Sequence, residues 1–243
     1  MSRPTILVTC DFELRSAPPP RPRSLLNADY SDAIYEAGGL PWPVALPPAA
    51  DDALIDELLS RCRGVLLTGG DDLHAGHFGQ AQHPACEVLH ERRDRFEMAL
   101  SRRLRAASHP VLAICLGCQV TNVVHGGSLL QHLDDVARTV AVQHRGAGGG
   151  DAFHAIRVEP GSRLAKIMGG THFEVNSRHH QALDVARAAG ALRPVAFAPD
   201  GVIEAVEAPG PRFVVGVQWH PENIRDRAEQ ARLFRALVEA AGG

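Results

Sequence analysis

Residues 111–127, VLAICLGCQVTNVVHGG, constrain this chain more than any other stretch. Val111, Leu112, Ala113 and Ile114 form an apolar run of the length expected for a strand buried on both faces. The run breaks at Cys115-Leu116-Gly117, and the residues beyond it have the character of a short helix closed by Gly126-Gly127. A strand that turns sharply into a helix pushes its turn residue out of the sheet. The first free N–H groups of the helix then surround that side chain. Such N–H groups favour a thiolate, and they can also hold an oxyanion. Cys115 is therefore a candidate nucleophile, although a free cysteine is more commonly a small buried hydrophobe.

The rest of the chain supplies the elements such a turn needs. Apolar strands are expected at residues 5–10, 41–46 and 64–68, with helices at 25–37, 51–61 and 91–107 between and after them. The prolines at 41 and 43 place the second strand near an edge. This alternation predicts a mostly parallel sheet covered by helices on both faces. Beyond Gly127 the spacing shortens. Strands are expected at 136–142, 152–158, 192–198, 202–207 and 213–217, with Pro199-Asp200-Gly201 turning a hairpin. Ser162 caps a short helix to Met168, and an amphipathic helix over 224–241 closes the chain. Residues 16–24, SAPPPRPRS, read as a surface loop or a lid. With no repeat and no linker, residues 1–243 read as one domain.

Composition narrows the function classes. The net charge of −3 gives no electrostatic footprint for nucleic acid or anionic membrane. With 5% aromatic residues, stacking platforms for single strands are not expected. No apolar run reaches the roughly 18 residues of a membrane span. The N-terminus, MSRPTILVTCDFE, enters a strand without a signal-peptide core, and the five cysteines are scattered, so the expectation is a reducing, cytoplasmic setting.

Three segments at the ends of apolar strands carry chemistry-bearing residues: Gly69-Gly70, Cys115, and His220-Pro221-Glu222. Open parallel sheets place their sites at such strand ends. His220 and Glu222 are two apart, so in extended chain they face the same way. Glu222 could then orient the imidazole toward Cys115, the logic of a nucleophile triad, or merely serve the first turn of the closing helix.

At this point the motifs resemble those of the class I glutamine amidotransferases. Ile114-Cys115-Leu116-Gly117-Cys118-Gln119 is similar to their C-x-G-x-Q elbow, Gln218-Trp219-His220-Pro221-Glu222 to their histidine–glutamate pair, and Thr68-Gly69-Gly70 to their oxyanion strand end. Residues 175–181, VNSRHHQ, resemble the N-S-x-H-x-Q segment of the γ-glutamyl-γ-aminobutyrate hydrolase branch, peptidase C26-like. The resemblance implies a flavodoxin-like α/β fold, a central mostly parallel sheet with a small antiparallel extension. It implies Cys115, His220 and Glu222 as catalytic residues, with Gly70 and Leu116 as oxyanion donors. Gly69, Gln119, Asn176, Ser177 and His179 would bind substrate. The implied substrate is a small γ-glutamyl amide, cleaved through a thioester without cofactor or metal. Two positions depart from the branch: Leu116 stands where Arg is common, and Phe78-Gly79 where Tyr-Gly is usual. Both bear on the amine half of the substrate.

Other readings compete. Cys115-Leu116-Gly117-Cys118 is also a C-x-x-C, as in redox pairs, but it succeeds the wrong strand for one. Asp72, His74, His77 and His83 could suggest a metal, but they are irregularly spaced in a loop, which favours a solvated or pocket-rim role. A second enzyme class is an amidotransferase subunit that hands ammonia to a partner synthetase. A binding module without catalysis fits poorly with an intact cysteine, histidine and glutamate. A homodimer is among the assemblies the chain leaves open.

Overall fold

A computed structural model describes residues 2–15, 18–138, 140–187 and 190–242. Its strands are β1 (Thr5–Thr9), β2 (Asp11–Arg15), β3 (Arg21–Leu25), β4 (Leu40–Val44), β5 (Gly64–Leu67), β6 (Val111–Ile114), β7 (Leu129–Leu130), β8 (Ala152–Val158), β9 (His172–Ser177), β10 (Ala182–Leu183), β11 (Arg193–Phe197), β12 (Ile203–Glu207) and β13 (Val214–Val217). Its α-helices are α1 (Ala28–Glu36), α2 (Asp52–Ser60), α3 (Glu91–Ala106), α4 (Leu116–Val124), α5 (Arg163–Met168) and α6 (Ala228–Ala240).

The main sheet runs β4-β1-β5-β6-β13-β12-β11-β8-β9, with β10 joined to β12 at one side and β7 joined to β10. The strands from β4 to β13 are parallel, and from β13 onward the pairing is antiparallel. This is the expected mostly parallel sheet with an antiparallel extension. β4 lies at the edge, where Pro41 and Pro43 need donate no ladder hydrogen bond on the open side.

Side-chain alternation along the central strands feeds two apolar layers. Leu7, Val65, Leu67, Val111, Ala113 and Val214 face Ile55 and Leu59 of α2, Phe96 and Leu100 of α3, and Val120 of α4. Ile6, Val8, Leu66, Leu112, Ile114 and Val217 face Ile34 of α1, Leu164 of α5, and Phe234 and Leu237 of α6. Asp51 caps α2 by accepting from the Leu54 N–H at 2.8 Å, and Ser162 caps α5 through the Ala165 N–H at 3.0 Å.

Three expectations are corrected. No strand forms among the described residues of 136–142; Leu133–Asp135 is a single 3-10 turn that leads into irregular chain, and Thr139 lies outside the described residues. Residues 21–24 of the basic, proline-rich stretch 16–24 are strand, not loop. β2 and β3 pair antiparallel from Asp11↔Leu25 to Arg15↔Arg21, with residues 18–20 irregular; residues 16 and 17 lie outside the described set. Both strands of this hairpin are largely exposed, so no apolar alternation announces them. The closing helix begins at Ala228, not at 224, because Pro221–Ile224 form a 3-10 turn.

The register of the central strands decides where the loops emerge. Leu67 pairs with Ala113, and Ile114 with Val217. The chain therefore leaves β5, β6 and β13 at one level. Gly117 closes this level: a Cβ there would fall 2.6 Å from the Leu67 carbonyl oxygen. Gly117→Ala should therefore cost about 1–3 kcal/mol of stability through overpacking, read by urea unfolding. Gly150→Ala, whose new Cβ would meet nothing nearer than 3.6 Å, should change little.

Candidate active site

The turn from β6 into α4 is held in a conformation that L-residues avoid. Cys115 has φ 51° and ψ −105°, the one positive φ outside glycine among the described residues. Strain of this kind costs on the order of 1–3 kcal/mol and persists only where the surroundings enforce it. Here the Cys115 N–H donates to the Val217 carbonyl at 2.8 Å, the Gly117 N–H to Thr68 at 3.2 Å, and the Gln119 N–H to Cys115 at 3.1 Å. The turn is thus pinned to both neighbouring strands and to its own helix. The thiol sits at the start of α4, 6% exposed.

His220 comes from the end of β13. Its Nδ1 lies 2.7 Å from Glu222 Oε1, and both side chains are buried. Burial alone would lower the imidazole pKa. The Glu222 carboxylate and the Cys115 sulfur outweigh it and raise the value to about 10. The Trp219 indole, fully buried, donates to Gln230 of α6 at 2.9 Å and anchors this strand end. Arg225 donates to the Glu222 carbonyl at 2.9 Å and pairs with Asp29 of α1 at 2.6 Å, tying down the 3-10 turn.

Gly69 is the meeting point. A Cβ there would stand 2.8 Å from His220 Cε1, 3.0 Å from the Tyr30 hydroxyl and 3.5 Å from Cys115 Cβ. Only a glycine lets these three side chains approach the strand end. The Gly69 N–H donates to Tyr30 Oη at 3.0 Å. Burial, then the nearby Glu222, pushes the Tyr30 pKa well above its ordinary value, so this hydroxyl keeps its proton.

Gly70 rests on Arg93, whose Nη1 would lie 2.2 Å from a Cβ at that position. Arg93 has no exposed surface. Its guanidinium donates to Gly69 O at 2.6 Å and Thr68 Oγ1 at 3.1 Å, and pairs with Asp11 at 2.9 Å and Glu97 at 3.4 Å. The strand-end loop is thus held from below by a side chain of α3. Removing one partner from a buried ionic group like this typically costs about 3–5 kcal/mol.

Two clefts are lined by Cys115, and both include Gly70 and Arg178. One is lined by Asp71, Asp72, Glu87, Gln119, Arg145 and His179. The other is lined by Leu25, Leu26, Asn27, Tyr30, Gly69 and His220. The first therefore mixes carboxylates with guanidinium groups, and the second is more apolar. Arg178 is fixed by Asp151 at 3.1 Å and by Asn223.

The residues expected from sequence fall into two groups. Cys115, His220, Glu222, Gly69 and Gly70 converge, with Leu116 supplying the first N–H of α4 and Gln119 lining the first cleft. Asn176 and Ser177 have no exposed surface and line neither cleft. Asn176 Oδ1 instead accepts the His220 N–H at 3.3 Å, and Ser177 donates to His144 O at 2.7 Å. They set the backbone on which the site rests. His179 reaches the first cleft but is 4% exposed. Cys118 lies in the opposite apolar layer, with its sulfur against Gly216. His74, His77 and His83 take separate partners: the Gly76 N–H, Asp94 and Asp135.

Sequence reasoning missed Tyr30, Arg93, Arg178 and Gln218, whose amide approaches Cys115 Sγ at 3.7 Å. For Arg93 a signal existed. It falls on the same helical stripe as Phe96, Glu97, Leu100 and Leu104, the buried side of α3. The other three depend on contacts between segments distant in sequence.

Comparison with known proteins agrees with this architecture. The Peptidase C26 family profile matches residues 4–222. A Mycobacterium tuberculosis protein named provisionally as a glutamine amidotransferase is 40% identical over 244 residues, covering 100% of this chain and 76% of its own. The γ-glutamyl-γ-aminobutyrate hydrolase PuuD of Escherichia coli is 34% identical over 230 residues, covering 88% of this chain and 85% of its own. The glutaminase domain of Trypanosoma brucei CTPS, solved with bound acivicin, shares the fold at a TM-score of 0.65 and 17% identity, covering 98% of this chain and 93% of that one. A fold, a strand-end cysteine turn and a family profile spanning most of the chain agree, and the protein belongs to the Peptidase C26 family.

Proposed function

We propose that the chain is a cysteine-dependent hydrolase of γ-glutamyl amides, with γ-glutamyl-γ-aminobutyrate or a related γ-glutamyl amine as substrate. The observation that carries this reading is the approach of Cys115 and the Glu222-bound His220 to one glycine, Gly69. Peptidase C26 membership and the 34% identity to the E. coli hydrolase support it.

In this mechanism His220 takes the Cys115 proton, and the sulfur attacks the γ-carbonyl carbon. The carbonyl oxygen becomes an oxyanion held by the N–H groups of Leu116 and Gly70. As the tetrahedral intermediate collapses, the C–N bond breaks and His220 gives its proton to the leaving amine. Water, deprotonated by His220, then attacks the γ-glutamyl thioester. The C–S bond breaks, glutamate leaves, and His220 returns its proton to the Cys115 sulfur. Glu222 keeps the imidazole oriented and stabilises its charged form. The glutamyl zwitterion fits the first cleft, where Gln119 and the guanidinium groups of Arg145 and Arg178 would meet the carboxylate and Asp71 or Glu87 the ammonium. The amine half would lie in the second cleft beside Leu25, Leu26 and Tyr30. The other reading is an amidotransferase subunit delivering ammonia to a synthetase, favoured by the provisional name of the M. tuberculosis relative.

A panel of γ-glutamyl amides with glutamine, offered to the purified chain alone, decides between them. Turnover of γ-glutamyl amines without a partner is expected. Ammonia release from glutamine that appears only on addition of a second protein would overturn the hydrolase reading. Cys115→Ala should abolish turnover while leaving thermal unfolding unchanged; residual turnover above background would remove the thioester route.

Glu222→Gln removes the strongest influence that raises the His220 pKa. The imidazolium should then be lost at lower pH, so the alkaline limb of kcat/KM should move down by roughly one pH unit or more. The rate itself should fall on the order of 10²–10⁴. An unmoved alkaline limb in the pH–rate profile would count against the His220–Glu222 pairing as functional.

A further inference from the structure

A second polar cluster lies behind the candidate active site, in the antiparallel half of the sheet. His144 stands in the loop before β8, His154 in β8, His179 just after β9, and Glu204 in β12. All four are buried, Glu204 completely. Each presents one ligating atom to the others, and these atoms all lie within 4.8 Å of one another. His144 Nδ1 is 3.1 Å from Glu204 Oε1; His154 Nε2 and His179 Nε2 are each 3.5 Å from it.

Their hydrogen bonding is one-sided. His179 Nδ1 lies 2.9 Å from the Gln181 carbonyl, and His154 Nδ1 lies 3.2 Å from the Ala155 carbonyl. Carbonyl oxygens only accept, so these nitrogens carry the hydrogens. In the neutral ring, the opposite nitrogen is then a lone pair. His144 Nε2 meets Asp200 Oδ2 at 2.9 Å, and that carboxylate also accepts from Arg138 at 2.8 Å. The inward atoms, His144 Nδ1, His154 Nε2, His179 Nε2 and both Glu204 oxygens, face one another and meet no hydrogen-bond partner outside the cluster. Burying so many unsatisfied polar atoms together costs several kcal/mol unless something they can all bind sits among them.

We infer that these four side chains form a site for a divalent transition metal, with zinc the best match. Three imidazole nitrogens and a carboxylate are a zinc donor set. With bonds of about 2.0–2.1 Å, tetrahedral ligand atoms stand roughly 3.3–3.4 Å apart, close to the spacings from Glu204 Oε1. The outer partners are those that metal-bound histidines use, a carboxylate on one ring and backbone carbonyls on the others. Four protein donors in a closed, buried setting make the ion structural: it staples β8, β9, β12 and the loop at 144. The staple sits close to the candidate active site. The Glu204 carbonyl accepts the Gln218 N–H at 2.7 Å, and His179 is three residues from the Asn176 that holds His220.

The full-length chain tests this directly. Metal analysis after purification, stripping with dipicolinate and titration with ZnCl2 should show one zinc per chain with a Kd below ~1 µM. Zinc at about a hundredfold above Kd should raise Tm by roughly 5–10 °C over the stripped protein. CoCl2 should give the visible absorption of tetrahedral cobalt. His154→Ala and Glu204→Gln should each weaken zinc binding at least about 100-fold, and Cys115→Ala should leave it unchanged. Two results would overturn the assignment. One is a wild-type chain that binds neither zinc nor cobalt and whose Tm is indifferent to both. The other is zinc binding that is lost in Cys115→Ala and kept in Glu204→Gln.

Discussion

The parallel pairing of β5, β6 and β13 is the constraint on which the rest hangs. It brings three strand ends to one level, so that residues 69, 115 and 220 meet although long stretches of chain separate them. The strained turn at Cys115 is a consequence of that pairing. Its backbone is bonded to Val217 on one side, and Gly117 is bonded to Thr68 on the other. Neither strand could shift its register by one residue without turning its buried side chains to the opposite layer.

Around this frame, buried polar groups do much of the positioning. Arg93 supports Gly69 and Gly70 from α3, Asn176 accepts the His220 N–H from β9, and Tyr30 approaches from α1. Each comes from a different element. The site is therefore fixed by the packing of the whole sheet and both helical layers, not by the loops that carry it. Networks of this sort are costly when incomplete.

Much of this is legible in the residues themselves. Strand ends 68–70, 115 and 220–222 are visible because apolar four-residue runs stop at chemistry-bearing residues, and parallel sheets gather such ends. Asn176 and Ser177 belong to the site's surroundings by motif, but their depth is not legible, since a strand residue's facing depends on its partners. The β2–β3 hairpin escapes detection because its exposed residues show no apolar alternation. The 136–142 segment misleads for the opposite reason: its valines suggest a strand, yet its described residues pair with no neighbouring edge. His144, His154 and Glu204 are invisible as a group because antiparallel pairing through β8, β11 and β12 brings them together, and nothing local signals it.

The placement of Cys118 has a consequence for oxidants. Its sulfur is sealed against Gly216 in the apolar layer opposite Cys115, and burial holds its pKa well above the thiol range. It stays protonated and is a poor partner for disulfide exchange. A sulfenic acid formed at Cys115 has no help from the C-x-x-C pattern around it. Its repair would fall to small thiols able to enter the two clefts that Cys115 lines.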